Sequence, residues 1–313
     1  MKITLKNITI GALLIAINAM SGCKKDSTLT PTNSTNNGSG ITSFQAFFKA
    51  MGAPTQNFTI NASTGGSFTG LKGTKFTFYS NSFLNSSNAL VTGNVNIQLR
   101  EIYSKEDMLF SNMPTTSGNQ PLLSGGEYYL SVSQNNQPLH MVQNKNYQAI
   151  VPMIDTLNLY IYTGKDSAGY VTNWARNFDS LTSISNVIPS YLVKCDSIGE
   201  INLDCAYPGP FYSDSIFTPN RPVGCPIYIF LLVKGKYALW SSVASTSNPN
   251  KFKTGYTLPV NTIMDFVAIS ITPSGVLYTS IVPTNNPGYS QNITMTFSQS
   301  DTATFRTQVK ALQ

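Results

Sequence analysis

The chain has 313 residues, of which 41% are hydrophobic and only 11% are charged. Its single histidine excludes zinc sites that need two or three imidazoles, and no glycine-rich phosphate loop or nucleophile elbow is present, so no metal or cofactor is predicted. The net charge of +6 comes from 20 basic against 14 acidic residues without a basic cluster, which argues against nucleic-acid binding and favours weak attraction to anionic surfaces.

The first 22 residues have the organisation of a signal peptide. Lys2 and Lys6 form a basic start, residues 8–20 are uncharged and largely apolar, and the small residues Ser21-Gly22 follow. The apolar stretch is shorter than the ~20 residues that span a bilayer as a helix. We therefore predict that residues 1–22 are removed, which leaves Cys23 as the first residue of the mature chain.

The segment Met20-Ser21-Gly22-Cys23 resembles the bacterial lipobox. The resemblance implies that the Cys23 thiol receives diacylglycerol and that two or three acyl chains, such as palmitate, anchor the protein to the lipid bilayer. An ordinary secretory signal with an incidental cysteine is the alternative. The segment Cys23-Lys24-Lys25-Asp26 is similar to the signals that direct Bacteroidota-type lipoproteins to the outer membrane, so we expect the cell surface, with the periplasmic face as the alternative.

The composition of the mature chain predicts a tether followed by strands. Residues 23–40 are predicted to be a lipidated cysteine and a disordered tether, since Leu29 is the one large apolar residue after Cys23. Beyond it, frequent Ser, Thr, Tyr and Phe suit strands and turns. We predict a mainly β fold with two consecutive β-sandwich-like domains, at residues 41–145 and 146–313.

Local patterns add single elements in chain order. A short helix is predicted over residues 44–51, and a second one begins after Asp301, a candidate N-cap. Residues 94–100 alternate polar and apolar side chains, which predicts a strand with one buried face. The apolar run at residues 228–233 and the segment 264–271, which precedes a Pro-Ser-Gly turn, predict the first strands of two hairpins.

Residues 65–130 begin with a Gly-Gly pair, a short strand and a second glycine turn, followed by a strand that ends in an exposed loop bearing a phenylalanine. This order resembles ZU5-like β-sandwich modules through Gly65, Gly66, Gly73, Phe83 and Gly93. A further resemblance is to uncharacterised surface lipoproteins of the Bacteroidota type, and it is carried by Asp107-Met108, Ser124-Gly125-Gly126 and Ile198-Gly199-Glu200-Ile201-Asn202-Leu203-Asp204. These resemblances imply an extracytoplasmic β protein without established chemistry.

The titratable residues form no recognisable catalytic set in the sequence. His140 lies in a predicted strand, where a hydrogen-bonded structural role is expected. A glycosidase-like pair of carboxylates, ~5 to 9.5 Å apart, would have to use the ten aspartates or the four glutamates, and the pair considered is Glu200 with Asp204, which bracket a predicted turn or short strand. The glutamates are Glu101, Glu106, Glu127 and Glu200. We assign no catalytic residue and predict that the protein is not an enzyme.

Three cysteines remain after Cys23 within a proline-rich window: Cys195, Cys205 and Cys225. An oxidising compartment would allow a disulfide, either Cys195–Cys205 or Cys205–Cys225, and would leave one cysteine unpaired. The alternative is that all three are buried thiols.

Aromatic side chains are the candidates for stacking on sugar rings or anchoring a partner, although burial in a core is the default for each. These candidates are Tyr128, Tyr129, Trp174, Tyr207, Phe211, Tyr212 and Trp240.

Seven of the ten aspartates are followed by Ser or Thr and then by an aliphatic, Ala or Thr residue, where composition alone predicts about one such triplet. The triplets resemble acceptors for O-glycosylation in Bacteroidota-type envelopes. The candidate acceptors are Ser27, Thr156, Ser167, Ser180, Ser197, Ser215 and Thr302. The alternative is that the aspartates form Asx-turns and helix caps.

Two functions from different classes follow from these patterns. The first is a non-catalytic lipoprotein for surface binding, adhesion or envelope structure, with glycans or another envelope protein as partner. The second is a carboxylate-dependent carbohydrate-processing hydrolase. An exposed aromatic platform would support the first, and two converging carboxylates with perturbed pKa values in a pocket would support the second.

Overall fold

The architecture is that of a computed structural model of the chain. It describes residues 41–167, 170–241, 244–245, 248–254, 258–260, 262–284 and 292–312. The predicted signal peptide, Cys23 and the tether lie outside the described residues.

Three α-helices form in the described part of the chain. They are α1 (Phe44–Met51), α2 (Lys105–Phe110) and α3 (Thr302–Lys310). Ser43 caps α1 by accepting a hydrogen bond from the backbone N–H of Ala46, and Asp301 caps α3 in the same way. The helices predicted at residues 44–51 and after Asp301 are therefore confirmed, whereas α2 was not predicted.

Strands account for most of the regular structure, and the predicted mainly β fold is confirmed. In chain order they are β1 (Gln56–Asn61), β2 (Gly66–Thr69), β3 (Lys75–Phe78), β4 (Phe83–Leu84), β5 (Asn94–Ile102), β6 (Thr116–Ser117), β7 (Gln120–Gln134), β8 (Gln137–Pro138), β9 (His140–Met141), β10 (Tyr147–Pro152), β11 (Tyr160–Ser167), β12 (Tyr170–Arg176), β13 (Ser183–Val187), β14 (Ser190–Cys195), β15 (Gly199–Ala206), β16 (Phe211–Tyr212), β17 (Ser215–Phe217), β18 (Ile227–Val233), β19 (Leu239–Ser241), β20 (Ala244–Ser245), β21 (Lys251–Lys253), β22 (Leu258–Pro259), β23 (Met264–Ile271), β24 (Leu277–Pro283), β25 (Asn292–Thr294) and β26 (Ser298–Ser300).

The first sandwich consists of two antiparallel sheets. Sheet 1 has the order β1-β5-β7-β15-β11-β12, with β6 and β8 also paired to β7, and sheet 2 has the order β13-β14-β10-β3-β2. Their facing side chains form one core, to which Leu99 and Leu130 contribute from sheet 1 and Phe76 and Val193 from sheet 2. The alternating side chains of β5 explain this packing, because its odd-numbered residues face the core and its even-numbered ones face away from it.

The second half of the chain forms sheet 3, in the order β19-β18-β23-β24-β26, and sheet 4, in the order β20-β21-β17-β25. Sheet 3 is covered on both faces. Leu231 and Phe266 share a core with sheet 4, whereas Phe230 and Val267 pack with the helices. Burial of both faces explains why β18 is a continuous apolar run and why every residue of β23 is buried, Asp265 and Ser270 included. The two hairpins predicted here are confirmed, because β18 pairs with β19 and β23 pairs with β24.

The domain boundary predicted between residues 145 and 146 falls inside the first sandwich. β10 and β14 follow that boundary yet complete sheet 2 beside β3, and β15 pairs with β7 in sheet 1. The change from sheets 1 and 2 to sheets 3 and 4 comes after β15. The described residues also belong to one compact unit, because α1 and α2 share a core with sheet 3 and α3. Strand periodicity identifies strands but not their distant partners, which is the reason for the error.

Phe83, expected in an exposed loop, is instead fully buried in β4. Its ring centroid lies 5.2 Å from that of Phe78, and β4 pairs with β9. The loop therefore folds back over the end of the first core and carries its aromatic ring inward. The positive φ angles of Gly65 and Gly73 fit the glycine turns expected around β2.

Candidate functional site

A cleft of about 290 Å³ opens between α1 and the face of sheet 1 that points away from sheet 2. Phe48 and Lys49 line it from α1, and Gly52, Ala53 and Thr55 line it from the loop that follows this helix. The sheet contributes a row of three side chains across neighbouring strands, which are Arg100 of β5, Tyr129 of β7 and Glu200 of β15. We call this cavity the helix cleft.

Strand register holds these three sheet residues side by side. Arg100 pairs with Tyr129, and Tyr129 pairs with Glu200. The guanidinium carbon of Arg100 lies 4.7 Å from the centroid of the Tyr129 ring, and Arg100 Nη2 lies 3.8 Å from Glu200 Oε1. The guanidinium is thus held between an aromatic face and a carboxylate, which fixes its position in the cleft.

Two residues further along β7 and β15, on the same face of sheet 1, the polar side chains are buried. Glu127 of β7 and Asn202 of β15 are directly paired, and Asp204 follows a β-bulge in β15. Asn202 Nδ2 donates to Glu127 Oε1 at 3.3 Å and to Asp204 Oδ2 at 2.6 Å, while Asn202 Oδ1 accepts from the Ser124 hydroxyl at 2.8 Å. All four side chains are fully buried. We call Glu127 and Asp204 the buried acid pair.

Burial raises the pKa of both members of the pair well above the ordinary range of carboxyl groups. For Glu127 the neighbouring Asp204 and Asp107 carboxylates raise the pKa further. For Asp204 hydrogen bonds to Ser124 and Asn202 oppose the effect of burial on the pKa. Glu127 Oε2 and Asp204 Oδ1 have no hydrogen-bond partner in the described part of the chain, so the environment favours neutral, protonated acids over carboxylates.

Glu101 shows how a buried acid can be accommodated as a carboxylate elsewhere in the fold. It is 1% exposed, and its oxygens accept hydrogen bonds from Gln56 Nε2 at 3.0 Å and from the backbone N–H groups of Lys72 and Thr74 at 2.8 and 3.1 Å. A carboxylate with several donors holds the loop between β2 and β3 against β5. Glu101 is therefore a structural acid, and it differs from the buried acid pair in having its acceptors satisfied.

A second polar feature lies at the β12 edge of sheet 1, where β11 begins and β12 ends. The guanidinium carbon of Arg176 lies 3.4 Å from the centroid of the Tyr160 ring and 5.0 Å from that of Phe178. Tyr160 is 44% exposed and Phe178 is 80% exposed. We call Tyr160, Arg176 and Phe178 the aromatic platform. None of the three was singled out by the sequence, because their proximity depends on the pairing of β11 with β12.

The structure separates Glu200 and Asp204, the acids considered as a pair. Both lie on β15, but Glu200 lines the helix cleft whereas Asp204 is buried with Glu127. Glu106 instead forms an ion pair with Arg306 of α3 at 2.6 Å. His140 lies at the surface in β9, and its Nε2 is 3.1 Å from Asn88 Oδ1, in keeping with the hydrogen-bonded role expected.

The three cysteines are free thiols in different surroundings rather than a disulfide and a third thiol. Cys195 belongs to the core of the first sandwich, where burial raises its pKa to about 11. Cys205 is half-buried beside that core, and Cys225 lines a separate cavity of about 300 Å³ near Phe44. The alternative of three buried thiols agrees with the surroundings of Cys195 and Cys225, whereas Cys205 is half-buried.

Three of the seven aromatic candidates from the sequence are core residues. Tyr128, Trp174 and Trp240 are fully buried, and the two indole N–H groups donate to the carbonyl oxygens of Pro114 and Leu122. Tyr207 packs edge-on against Trp240. Tyr129 is the one that reaches the helix cleft. The side chains of Phe211 and Tyr212 lie outside the described residues.

The candidate glycosylation residues differ in exposure. Thr156, Ser180 and Ser215 are exposed, whereas Ser197 and Thr302 are half-buried. Ser27 and the side chain of Ser167 lie outside the described residues. Asp179 Oδ1 accepts from the backbone N–H of Leu181 at 2.8 Å, and Asp301 caps α3, so some triplets also make the local turns that the alternative predicts.

Within the residues that the structure describes, no three His, Cys, Asp or Glu side chains come together as a metal site would require. Helices with the length and apolar character needed to cross a bilayer are also lacking among these residues. The chain matches no known protein-family profile and no curated protein.

Proposed function

We propose that the chain is a membrane-anchored extracytoplasmic lipoprotein whose β-sandwich body is a non-catalytic binding module for surface glycans. The lipid on Cys23 would hold the body at the outer membrane, and residues 24–40 would give it reach. The observation that carries the binding role is the aromatic platform, in which Arg176 stacks on Tyr160 while Phe178 is 80% exposed.

The platform supports this role because its exposed aromatic rings are unfavourable in contact with water and become favourable when a ligand covers them. Aromatic rings favour burial, and a ring exposed to this extent leaves apolar surface in contact with water. The apolar faces of sugar rings can cover that surface, and the Arg176 guanidinium offers donors to their oxygens. Stacking of Arg176 on Tyr160 also orients these donors before binding, which lowers the entropy cost.

Affinity electrophoresis tests the proposal. The purified body, residues 41–313, is run in gels that contain dextran, mannan or hyaluronan, and we expect retardation by at least one of them. Phe178→Ala should abolish the retardation, whereas Leu71→Ala, which truncates a side chain of equal exposure on the loop between β2 and β3, should preserve it. Equal migration of the unaltered protein in all gels, or equal loss with both variants, would contradict a platform-based binding function.

The alternative function is a carboxylate-dependent carbohydrate-processing hydrolase, and the buried acid pair is the observation that favours it. Two acids with raised pKa values converge on Asn202. Both are fully buried, however, so a glycosidic oxygen cannot reach them in this conformation. Hydrolysis of aryl glycosides by the unaltered protein, lost in both Glu127→Gln and Asp204→Asn, would establish the alternative.

A further inference from the structure

We infer that the helix cleft is a second binding site, separate from the aromatic platform, and that it takes a carboxylate-bearing monosaccharide, a sugar acid. The inference is independent of the proposed function, because it rests on the charges, size and rigidity of the cleft and not on Tyr160, Arg176 or Phe178.

The charges of the lining indicate a ligand with one negative charge. Lys49 is exposed in the last turn of α1, Arg100 lies on the opposite wall, and Glu200 is beside Arg100. Two cations and one carboxylate leave a single positive charge, which a monoanion balances. A zwitterion such as an amino acid would leave that charge uncompensated.

The spacing of the Arg100–Glu200 pair allows both groups to contact a ligand. Their 3.8 Å separation exceeds the 2.7–2.9 Å typical of a hydrogen-bonded ion pair. The guanidinium has donors for a ligand carboxylate, and the two oxygens of the Glu200 carboxylate offer about four lone-pair sites, so Glu200 can accept from a ligand hydroxyl in addition to its contacts within the protein. A sugar acid supplies both groups on one ring.

The size of the cleft limits the ligand to about one sugar ring. Its volume of about 290 Å³ lies at the lower end of the ~300–1,000 Å³ range of small-molecule sites. A longer chain would have to leave the cleft along the surface. This distinguishes the helix cleft from the aromatic platform, which lies open at a sheet edge.

The walls of the cleft are fixed by contacts outside it. Ser43 caps the start of α1, and Arg306 of α3 donates to the carbonyl oxygen of Met51 at its end. The backbone N–H of Ala53, in the loop that follows α1, donates to Ser111 Oγ at 3.1 Å. Because these contacts position the helix and loop in advance, a ligand need not order them on binding.

Isothermal titration calorimetry with glucuronate and glucose tests the inference, because the two probes differ in the carboxylate. We expect glucuronate to bind and glucose to bind at least about tenfold more weakly, which corresponds to the loss of one charge-assisted contact. Lys49→Gln and Arg100→Gln should each weaken glucuronate binding by about tenfold or more. Lys75→Gln, which removes an exposed lysine on sheet 2, should leave the affinity unchanged.

Lys49 is exposed, so its substitution tests the site even if Arg100→Gln disturbs the sheet, which a thermal melt of that variant would reveal. Phe178→Ala should keep glucuronate binding, because the platform is a different surface. The inference is overturned if glucuronate does not bind, if glucose binds equally well, or if Lys49→Gln retains full affinity.

Discussion

Glu127 and Asp204 accept hydrogen bonds from one and the same atom, Nδ2 of Asn202, at 3.3 and 2.6 Å. Two negative charges around one neutral amide, both removed from water, would repel each other without a compensating cation. Protonation relieves that repulsion, and a protonated carboxyl can also serve as a donor. The pair therefore links the stability of sheet 1 to pH.

Glu127→Gln is expected to raise the free energy of unfolding at pH 8 and to have a smaller effect at pH 4. The pKa of Glu127 is raised in the folded state, so folding carries no ionisation penalty below its ordinary value of ~4.3. Above that value the unfolded chain releases the proton while the folded chain keeps it, and stability falls by up to about 1.4 kcal/mol per pH unit until the folded pKa is reached.

Glutamine has the shape of the neutral acid but does not titrate. The stability of the variant should therefore lack the decrease with rising pH that Glu127 causes. Urea unfolding at pH 4, 6 and 8 measures the difference between the unaltered protein and Glu127→Gln, with Asp204→Asn as the parallel variant. A difference that is the same at all three pH values would contradict the proposed protonation.

Lys105→Met is expected to lower the free energy of unfolding by about 3 kcal/mol. The buried Lys105 ammonium donates to the carbonyl oxygens of Val233 and Leu312, at 2.9 and 3.2 Å. Burial raises the pKa of the nearby Asp265, and the charges of Lys234 and Lys105 oppose that rise. Methionine fills the space of the stem but leaves the acceptors without this donor. Lys310→Met on the exposed side of α3 is the matched control, and chemical denaturation that gave equal losses for both would refute the role of Lys105.

Cys23→Ala should yield an unlipidated precursor, because the thiol is the predicted acceptor of diacylglycerol. Metabolic labelling with an alkyne-bearing fatty acid, followed by gel fluorescence, should mark the unaltered protein and not the variant. Cys205→Ala serves as the control for general thiol acylation. Undiminished label in Cys23→Ala would show that the lipid lies elsewhere or that the lipobox resemblance is incidental.

The protein purified from its own host is expected to exceed its sequence mass by sugar units on the exposed acceptors Thr156, Ser180 and Ser215. Ser180→Ala and Ser215→Ala should each remove one increment in intact-mass spectrometry, whereas protein made without the glycosylation machinery should show none. If the aspartates serve only as turn residues, the host protein has no excess mass and Asp179→Ala lowers the melting temperature, because the hydrogen bond to Leu181 is lost.

Elements set by neighbouring residues could be predicted from the sequence. The apolar pattern of residues 44–51 predicted α1, Asp301 marked the start of α3, and alternation identified β5. The helix α2 also carried a local signal, the capping box of Ser104 with Asp107, but its six residues are too short for a clear apolar period. Neighbouring residues in the sequence therefore predict single helices, single strands and hairpins, but not the pairing of distant strands.

The candidate sites could not be predicted, because each depends on pairing between distant strands. Arg100, Tyr129 and Glu200 become neighbours only through the register of β5, β7 and β15. Glu127 likewise lies beside Asn202 only because β7 pairs with β15. From the sequence alone, the pair considered was Glu200 with Asp204, which lie on one strand. Register is set by which faces are buried in the whole sandwich, and periodicity in one strand does not contain that information.

The position of α3 determines when the helix layer can form during synthesis. Phe305 packs edge-on against Phe110 of α2 with ring centroids 5.5 Å apart, and Arg306 reaches the end of α1. The first sandwich needs residues up to 206, whereas α1 and α2 keep part of their apolar surface uncovered until α3 has left the ribosome. A nascent chain halted before residue 302 would thus present part of the Phe110 ring to chaperones and proteases, because Phe305 of α3 is not yet there to cover it.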